Sequence, residues 1–191
     1  MKSKVIWMRG RGLCRRLLAQ PPRLLFREAQ LKAAIEKLAR KNSVRIEGPP
    51  GVGKTTLARM AAASLGRVTY VAGFACRTYN CLRARIDFSA LNIIDDYGLI
   101  LRDNSVVKLV ESIPWKVVVT HPGLYARELD SLPSVHMPPY TFQEIRQILL
   151  ERVQRLSLTV DAGVIDECAR EAAEHSGSIR LALLLLYERV T

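Results

Sequence analysis

The chain has 191 residues, with 49% hydrophobic and 25% charged positions and a net charge of +11. That is the balance of one globular domain with a sizeable core and room for a small subdomain. No apolar run nears the ~18 residues of a membrane span, and Cys14, Cys76, Cys81 and Cys168 lack C-x-x-C spacing and a histidine cluster, which argues against a membrane-spanning role and a zinc framework.

In chain order, residues 1–22 read as a basic arm. The first 27 positions hold Lys2, Lys4, Arg9, Arg11, Arg15, Arg16, Arg23 and Arg27 and no acid. Such an arm contacts the phosphates of DNA or stays solvated. It also loosely matches a transit peptide, although it is not serine-rich, and no secretory signal is visible. A cytoplasmic location is expected. After Pro21-Pro22, Leu24 to Arg40 predicts an amphipathic helix with Leu31, Ala34, Ile35 and Leu38 on one face.

Ser43 to Glu47 then alternates as a short strand. It runs into Gly48-Pro49-Pro50-Gly51-Val52-Gly53-Lys54-Thr55-Thr56, which fits G-x-x-x-x-G-K-[ST] without substitution. The glycines let the backbone turn its N–H groups inward. Lys54 supplies positive charge for the β/γ-phosphates, and Thr55 supplies a hydroxyl for Mg²⁺. The Ala/Leu-rich helix from Thr56 to Leu65 aims its dipole at the same place. ATP or ADP with Mg²⁺ is the expected ligand.

Further strands are expected at Arg67 to Ala72, Ala90 to Asp96, Trp115 to Thr120 and Ser134 to Met137. Helices are expected around Cys76 to Arg85 and at Asn104 to Ser112. Alternating strands and helices predict an α/β fold: a three-layer P-loop core with a parallel five-stranded sheet. From Tyr140 onward the pattern is all-helical. Thr141-Phe142-Gln143-Glu144 is a capping box opening a helix to about Leu156, Asp161 caps a second to His175, and a third runs from Ser178 to Val190. The domain reading is a basic arm (1–22), a nucleotide-binding core (23–139) and a three-helix lid (140–191).

The strand ending Ile93-Ile94-Asp95-Asp96 has the Walker B pattern of apolar residues closed by an acid. Asp95 is the expected Mg²⁺ ligand and Asp96 the residue that orients or deprotonates water. Thr120, closing the next strand, can touch the γ-phosphate or bond its own backbone. The cysteines are expected as buried thiols, with a Cys76–Cys81 disulfide only where the cytosol is disulfide-rich.

With these motifs the chain, over about residues 20–190, resembles an AAA+ ATPase, most of all the origin-recognition and replication-initiator group. The segment around Phe26-Arg27-Glu28 is similar to the stretch with which that family contacts adenine, and Met137 to Thr141, including Tyr140, to the start of its lid. The resemblance puts Thr120 at sensor 1 and Arg180, in Ser176-Gly177-Ser178-Ile179-Arg180, at sensor 2. It implies ATP hydrolysis coupled to lid movement and to DNA or a larger protein partner. Three departures stand out. Asp96 replaces the family's glutamate. Leu129 to Ser134 has no arginine finger, Arg127 falling several residues early, and oligomerisation is left open. The sequence also ends where the lid does, without a winged-helix domain. The Asp-Asp strand and Val117-Val118-Val119-Thr120 also resemble signal-transduction STAND ATPases, but Gly177-Ser178-Ile179 is not their Gly-x-Pro. The other alternative is a DNA- or protein-binding module with a vestigial nucleotide site.

Overall fold

The computed structural model describes residues 12–100, 103–125 and 127–190. Lys2, Lys4, Arg9 and Arg11 of the basic arm lie outside the described residues. Two compact units divide the chain.

The first unit, Arg27–Pro49 with Gly53–Met137, contains the sheet. Its strands are β1 (Val44–Glu47), β2 (Val68–Ala72), β3 (Leu91–Asp95), β4 (Lys116–Thr120) and β5 (Ser134–His136), all parallel, in the order β2-β3-β4-β1-β5. This is the α/β architecture that the alternating pattern predicts. β3 and β4 are buried at every position, as parallel strands covered on both faces must be. The register pairs Glu47 with Thr120 and Ala72 with Asp95. The carboxyl ends of four strands thus come level at one edge, where open α/β sheets bind ligands. Helices α2 (Glu28–Ala39), α3 (Lys54–Ala62), α4 (Tyr79–Arg85) and α5 (Asn104–Ser112) complete the unit.

Two expectations are corrected here. Helix α2 begins at Glu28 rather than Leu24, because Phe26 adopts φ 61° and Arg27 is the non-helical cap. The pair Cys76–Cys81 is a disulfide, not two buried thiols. The physical reason is the start of α4. The helix begins at Tyr79, three residues past the expected Cys76, and the Thr78 hydroxyl caps it by accepting from the Cys81 N–H. The intervening turn brings the two Cα atoms to 5.5 Å, within bridging range. Cys14 and Cys168 remain thiols.

The second unit is helical. Its described residues are 12–26, Pro50–Val52 and 138–190. Residues 12–17 are helical (α1), followed by α6 (Phe142–Arg155), α7 (Ala162–His175) and α8 (Ile179–Val190). The capping box forms as the sequence predicts: the Thr141 N–H donates to Glu144 Oε2 at 2.8 Å, and the Glu144 N–H to Thr141 Oγ1 at 3.3 Å. Asp161 Oδ1 accepts from the Gly163 N–H at 2.8 Å. Ile145, Leu149, Ile165, Cys168, Ala172 and Leu186 are buried, and burial pushes the Cys168 thiol above its ordinary pKa. Arg146 binds Asp166 between α6 and α7, and Arg189 on α8 binds Glu167 and Glu171 on α7.

The second half of the basic arm belongs to this helical unit. Leu17 is fully buried, and the buried Arg152 donates from Nη1 to the Ala19 carbonyl at 2.8 Å. Arg15, Arg16 and Arg23 remain exposed.

Candidate nucleotide site

The P-loop connects β1 to α3. Gly53 is the N-cap of α3 with φ 92°, in the left-handed region that a side chain rarely adopts. Gly51, φ 77°, needs glycine for a second reason: a Cβ there would collide with the Ser178 hydroxyl. Pro50–Val52, the tip of the loop, group with the helical unit. There the Ile179 N–H donates to the Gly51 carbonyl at 3.1 Å, and Arg180 Cβ comes within 3.4 Å of where a Gly51 Cβ would stand. Arg180 itself is exposed.

In the sheet unit, Lys54 opens α3 and is buried. Its ammonium donates to the carbonyls of Gly48 and Pro49, both at 2.7 Å, and reaches His121 Nδ1 at 3.5 Å. The amine thus rests on the carbonyls of its own loop, where a phosphate oxygen would take over its donors.

Asp95 closes β3 and is 4% exposed. Its Oδ1 accepts from Thr55 Oγ1 at 3.1 Å and from the Asp96 N–H at 3.1 Å. Its Oδ2 accepts from the Tyr70 hydroxyl at 2.5 Å. Residues 40 apart in sequence, Thr55 and Asp95, are therefore in contact, as the pairing of P-loop with Walker B requires. Their oxygens suit a hard divalent cation such as Mg²⁺, which takes few protein ligands and fills its octahedron with water and phosphate. Among the described residues no group of three or more His, Cys, Asp or Glu side chains is placed to hold a metal.

Asp96 follows in the left-handed conformation, φ 51° and ψ 47°. Asp is one of the few non-glycine residues that visits it. It ends β3 and starts the short 3₁₀ turn Tyr97–Leu99.

Thr120 is 1% exposed, with Oγ1 2.5 Å from the Leu124 carbonyl and 3.3 Å from the His121 carbonyl. Its hydroxyl therefore bonds backbone, the second of the two roles its sequence position allows. Phe26, in the segment compared with the adenine contact, is 40% exposed, and Tyr140, at the expected start of the lid, is 3% exposed, its N–H bound to the Gly177 carbonyl at 3.1 Å. Arg127 is exposed on a 3₁₀ turn, Arg127–Leu129.

Two residues enter the site that motif reading missed, Tyr70 and His121, and a third, Arg45, fastens a neighbouring stretch. Tyr70 stands on β2, beside β3 in the sheet, so its hydroxyl reaches Asp95; Arg59 of α3 stacks over its ring at 4.2 Å. Burial first, then the bond to Asp95 and that group's charge, push the Tyr70 phenol up to about 12, which keeps it a donor. His121 is the first residue beyond β4 and meets Lys54. Arg45, buried on β1, donates to the Leu129 carbonyl at 2.8 Å and lies 4.0 Å from the Tyr125 ring centroid, fastening the stretch after β4 to the sheet. The available signals were a tyrosine in the strand beside Walker B and a histidine directly after a strand-end threonine. Neither belongs to a motif.

With this geometry in hand, comparison with known proteins places the fold. The Thermotoga maritima RuvB Holliday junction branch migration motor matches with a TM-score of 0.70 and 20% identity, over 90% of this chain and 64% of that one. The ADP form of the Aeropyrum pernix ORC2 protein matches at 0.62 and 18% identity, over 90% and 65%. The chain shares its fold with these two proteins. The chain spans just under two thirds of the length of these proteins. A family described as Novel STAND NTPase 3 matches residues 25–96, which hold the P-loop and Asp95. No curated protein matches. No helix among the described residues is long and apolar enough to cross a membrane.

Proposed function

We propose that the chain is an ATP-binding AAA+ switch, hydrolysing ATP slowly with Mg²⁺. The contact of Thr55 with Asp95, beside the buried Lys54, carries this reading. Gly48 to Thr56 hold the phosphates, with backbone N–H groups and the start of α3 offsetting their charge. Thr55 and Asp95 hold Mg²⁺, which when bound draws charge from the transferring phosphoryl group. Asp96 orients the attacking water. Its carboxylate is one methylene shorter than a glutamate and leaves β3 through a left-handed turn, two features that favour binding over rapid turnover. Phe26 contacts the base, Tyr140 at the start of the lid adds to nucleotide binding, and Arg180 reports the phosphate state to the helices that follow Tyr140. Arg15, Arg16 and Arg23 add a DNA-binding contribution in a cytoplasmic, replication-initiator-like role.

A second reading, a STAND-type signalling ATPase, is favoured by the family match over residues 25–96. It keeps the same nucleotide chemistry and replaces DNA with a protein partner.

Titration of ATP with Mg²⁺ tests the shared part. Lys54→Ala removes a charged donor from the phosphates and should weaken ATP by about tenfold or more; equal affinity in both proteins refutes the reading. Turnover measured with and without duplex DNA then separates the two settings. DNA binding that falls steeply with salt supports the initiator role, and none at low salt supports the signalling one.

A further inference from the structure

We infer that His121, not Thr120, is the side chain that reads the γ-phosphate, and that Thr120 acts by holding the turn that presents it. The inference rests on the nucleotide-binding reading above and specifies which residue distinguishes ATP from ADP.

The argument is one of donors. A threonine hydroxyl has a single proton. That of Thr120 is directed at backbone carbonyls, Leu124 at 2.5 Å and His121 at 3.3 Å, on a residue 1% exposed. What remains on Oγ1 can only accept. A phosphate oxygen also only accepts, so Thr120 has nothing to give it.

His121 is placed differently. Its Nδ1 lies 3.5 Å from Lys54 Nζ. A lysine ammonium donates and never accepts, so Nδ1 is the acceptor in this contact. With Nδ1 accepting, Nε2 is the ring nitrogen that carries the proton. An imidazole Nε2–H is a donor for a phosphate oxygen. Lys54 is the P-loop group that meets the β/γ-phosphates. A ring in contact with its amine is within one contact of the phosphate that ATP has and ADP lacks.

The turn supports this placement. The Leu124 N–H donates to the His121 carbonyl at 3.0 Å, and Gly123, φ 71°, allows the reversal. The Thr120 hydroxyl, bonded to the Leu124 carbonyl, closes the same turn from the strand side. Thr120 is thus a positioning residue for His121.

The test compares binding of ADP and of a non-hydrolysable ATP analogue, with Mg²⁺, to the full chain. His121→Ala should weaken the ATP analogue about tenfold while leaving ADP within about twofold, and His121→Gln, which keeps an N–H donor, should recover part of the loss. Thr120→Val should lower the same ratio, and should lower it no further in the His121→Ala background, because both act through one group. An unchanged ATP-to-ADP ratio in His121→Ala overturns the inference. So does an equal loss of both nucleotides in both His121 variants, or a further drop when Thr120→Val is added. A wild-type chain that binds neither nucleotide overturns the nucleotide reading itself, and this inference with it.

Discussion

The two units use polar side chains in different ways. In the sheet unit one set of them gathers at the carboxyl edge. Thr55, Tyr70 and the Asp96 N–H all bond one carboxylate, Asp95, while Lys54 meets His121. In the helical unit they fasten the unit to itself: Arg152 to the Ala19 carbonyl, Arg146 to Asp166, Arg189 to Glu167 and Glu171. A site demands groups held in place yet able to exchange partners with a ligand. A fastening demands only that no buried group lose its partner. Substitutions in the helical unit should therefore cost stability, and substitutions at the sheet edge should alter ligand handling.

Arg152 gives the largest expected effect on that comparison. It is 4% exposed, and Arg152→Ala leaves the Ala19 carbonyl without its guanidinium while opening space beside α1. The loss should be about 1–3 kcal/mol of unfolding free energy. ADP affinity at saturating Mg²⁺ should not change. Chemical denaturation paired with nucleotide titration checks both halves; a large fall in affinity at unchanged stability would remove the distinction between the units.

Tyr70→Phe should have a smaller and opposite signature. It deletes one donor to Asp95 Oδ2 and keeps the ring under Arg59. A single hydrogen bond of this kind is worth about 1 kcal/mol. The half-saturating Mg²⁺ concentration for nucleotide binding should rise about two- to fivefold, while binding without Mg²⁺ stays as in the wild type. A variant whose Mg²⁺ dependence matches the wild type would make Tyr70 a packing residue only.

How legible these features are in the sequence follows from how local their causes are. The individual strands and helices, the P-loop and the capping box at Thr141 each depend on neighbours within a few residues, and each is visible as a pattern. Asp95 is legible because a motif spells it. Its partner Tyr70 is not, because the contact exists only once β2 lies beside β3 in register. The same holds for Arg152 and Ala19, which are 133 positions apart. Thr120 shows a subtler limit. Its place at the end of β4 is readable, but the direction of one hydroxyl proton depends on the turn through Gly123, which no strand pattern encodes. The Cys76–Cys81 disulfide is legible only as the alternative to buried thiols, because the cysteines read as part of one helix, whereas Thr78 starts α4 later and folds the chain back between them.

The smallest effect should come from a cap on the sheet unit, where a polar group fastens rather than binds. Asp103 caps α5: its Oδ1 accepts from the Ser105 N–H at 2.8 Å and the Ser105 hydroxyl at 2.6 Å. The bond to the Ser105 hydroxyl, followed by that to its N–H, holds the Asp103 carboxyl below its usual pKa. A carboxyl lowered in the folded state favours folding when ionised. Its contribution is complete above the unfolded value of about 3.9 and disappears as pH falls through the lower folded value. Asp103→Asn keeps an oxygen acceptor for the cap but has no proton to take up. Between about pH 4 and pH 2 the wild type should therefore lose thermal stability slightly faster than the variant. At pH 7 the variant should be the less stable of the two by a small margin, since a neutral amide accepts more weakly than a carboxylate. Melting curves across that range decide it. Parallel slopes in the two proteins would mean that Asp103 is equally well bonded in the unfolded chain, and that even in the sheet unit a cap of this kind does nothing for the fold that pH can remove.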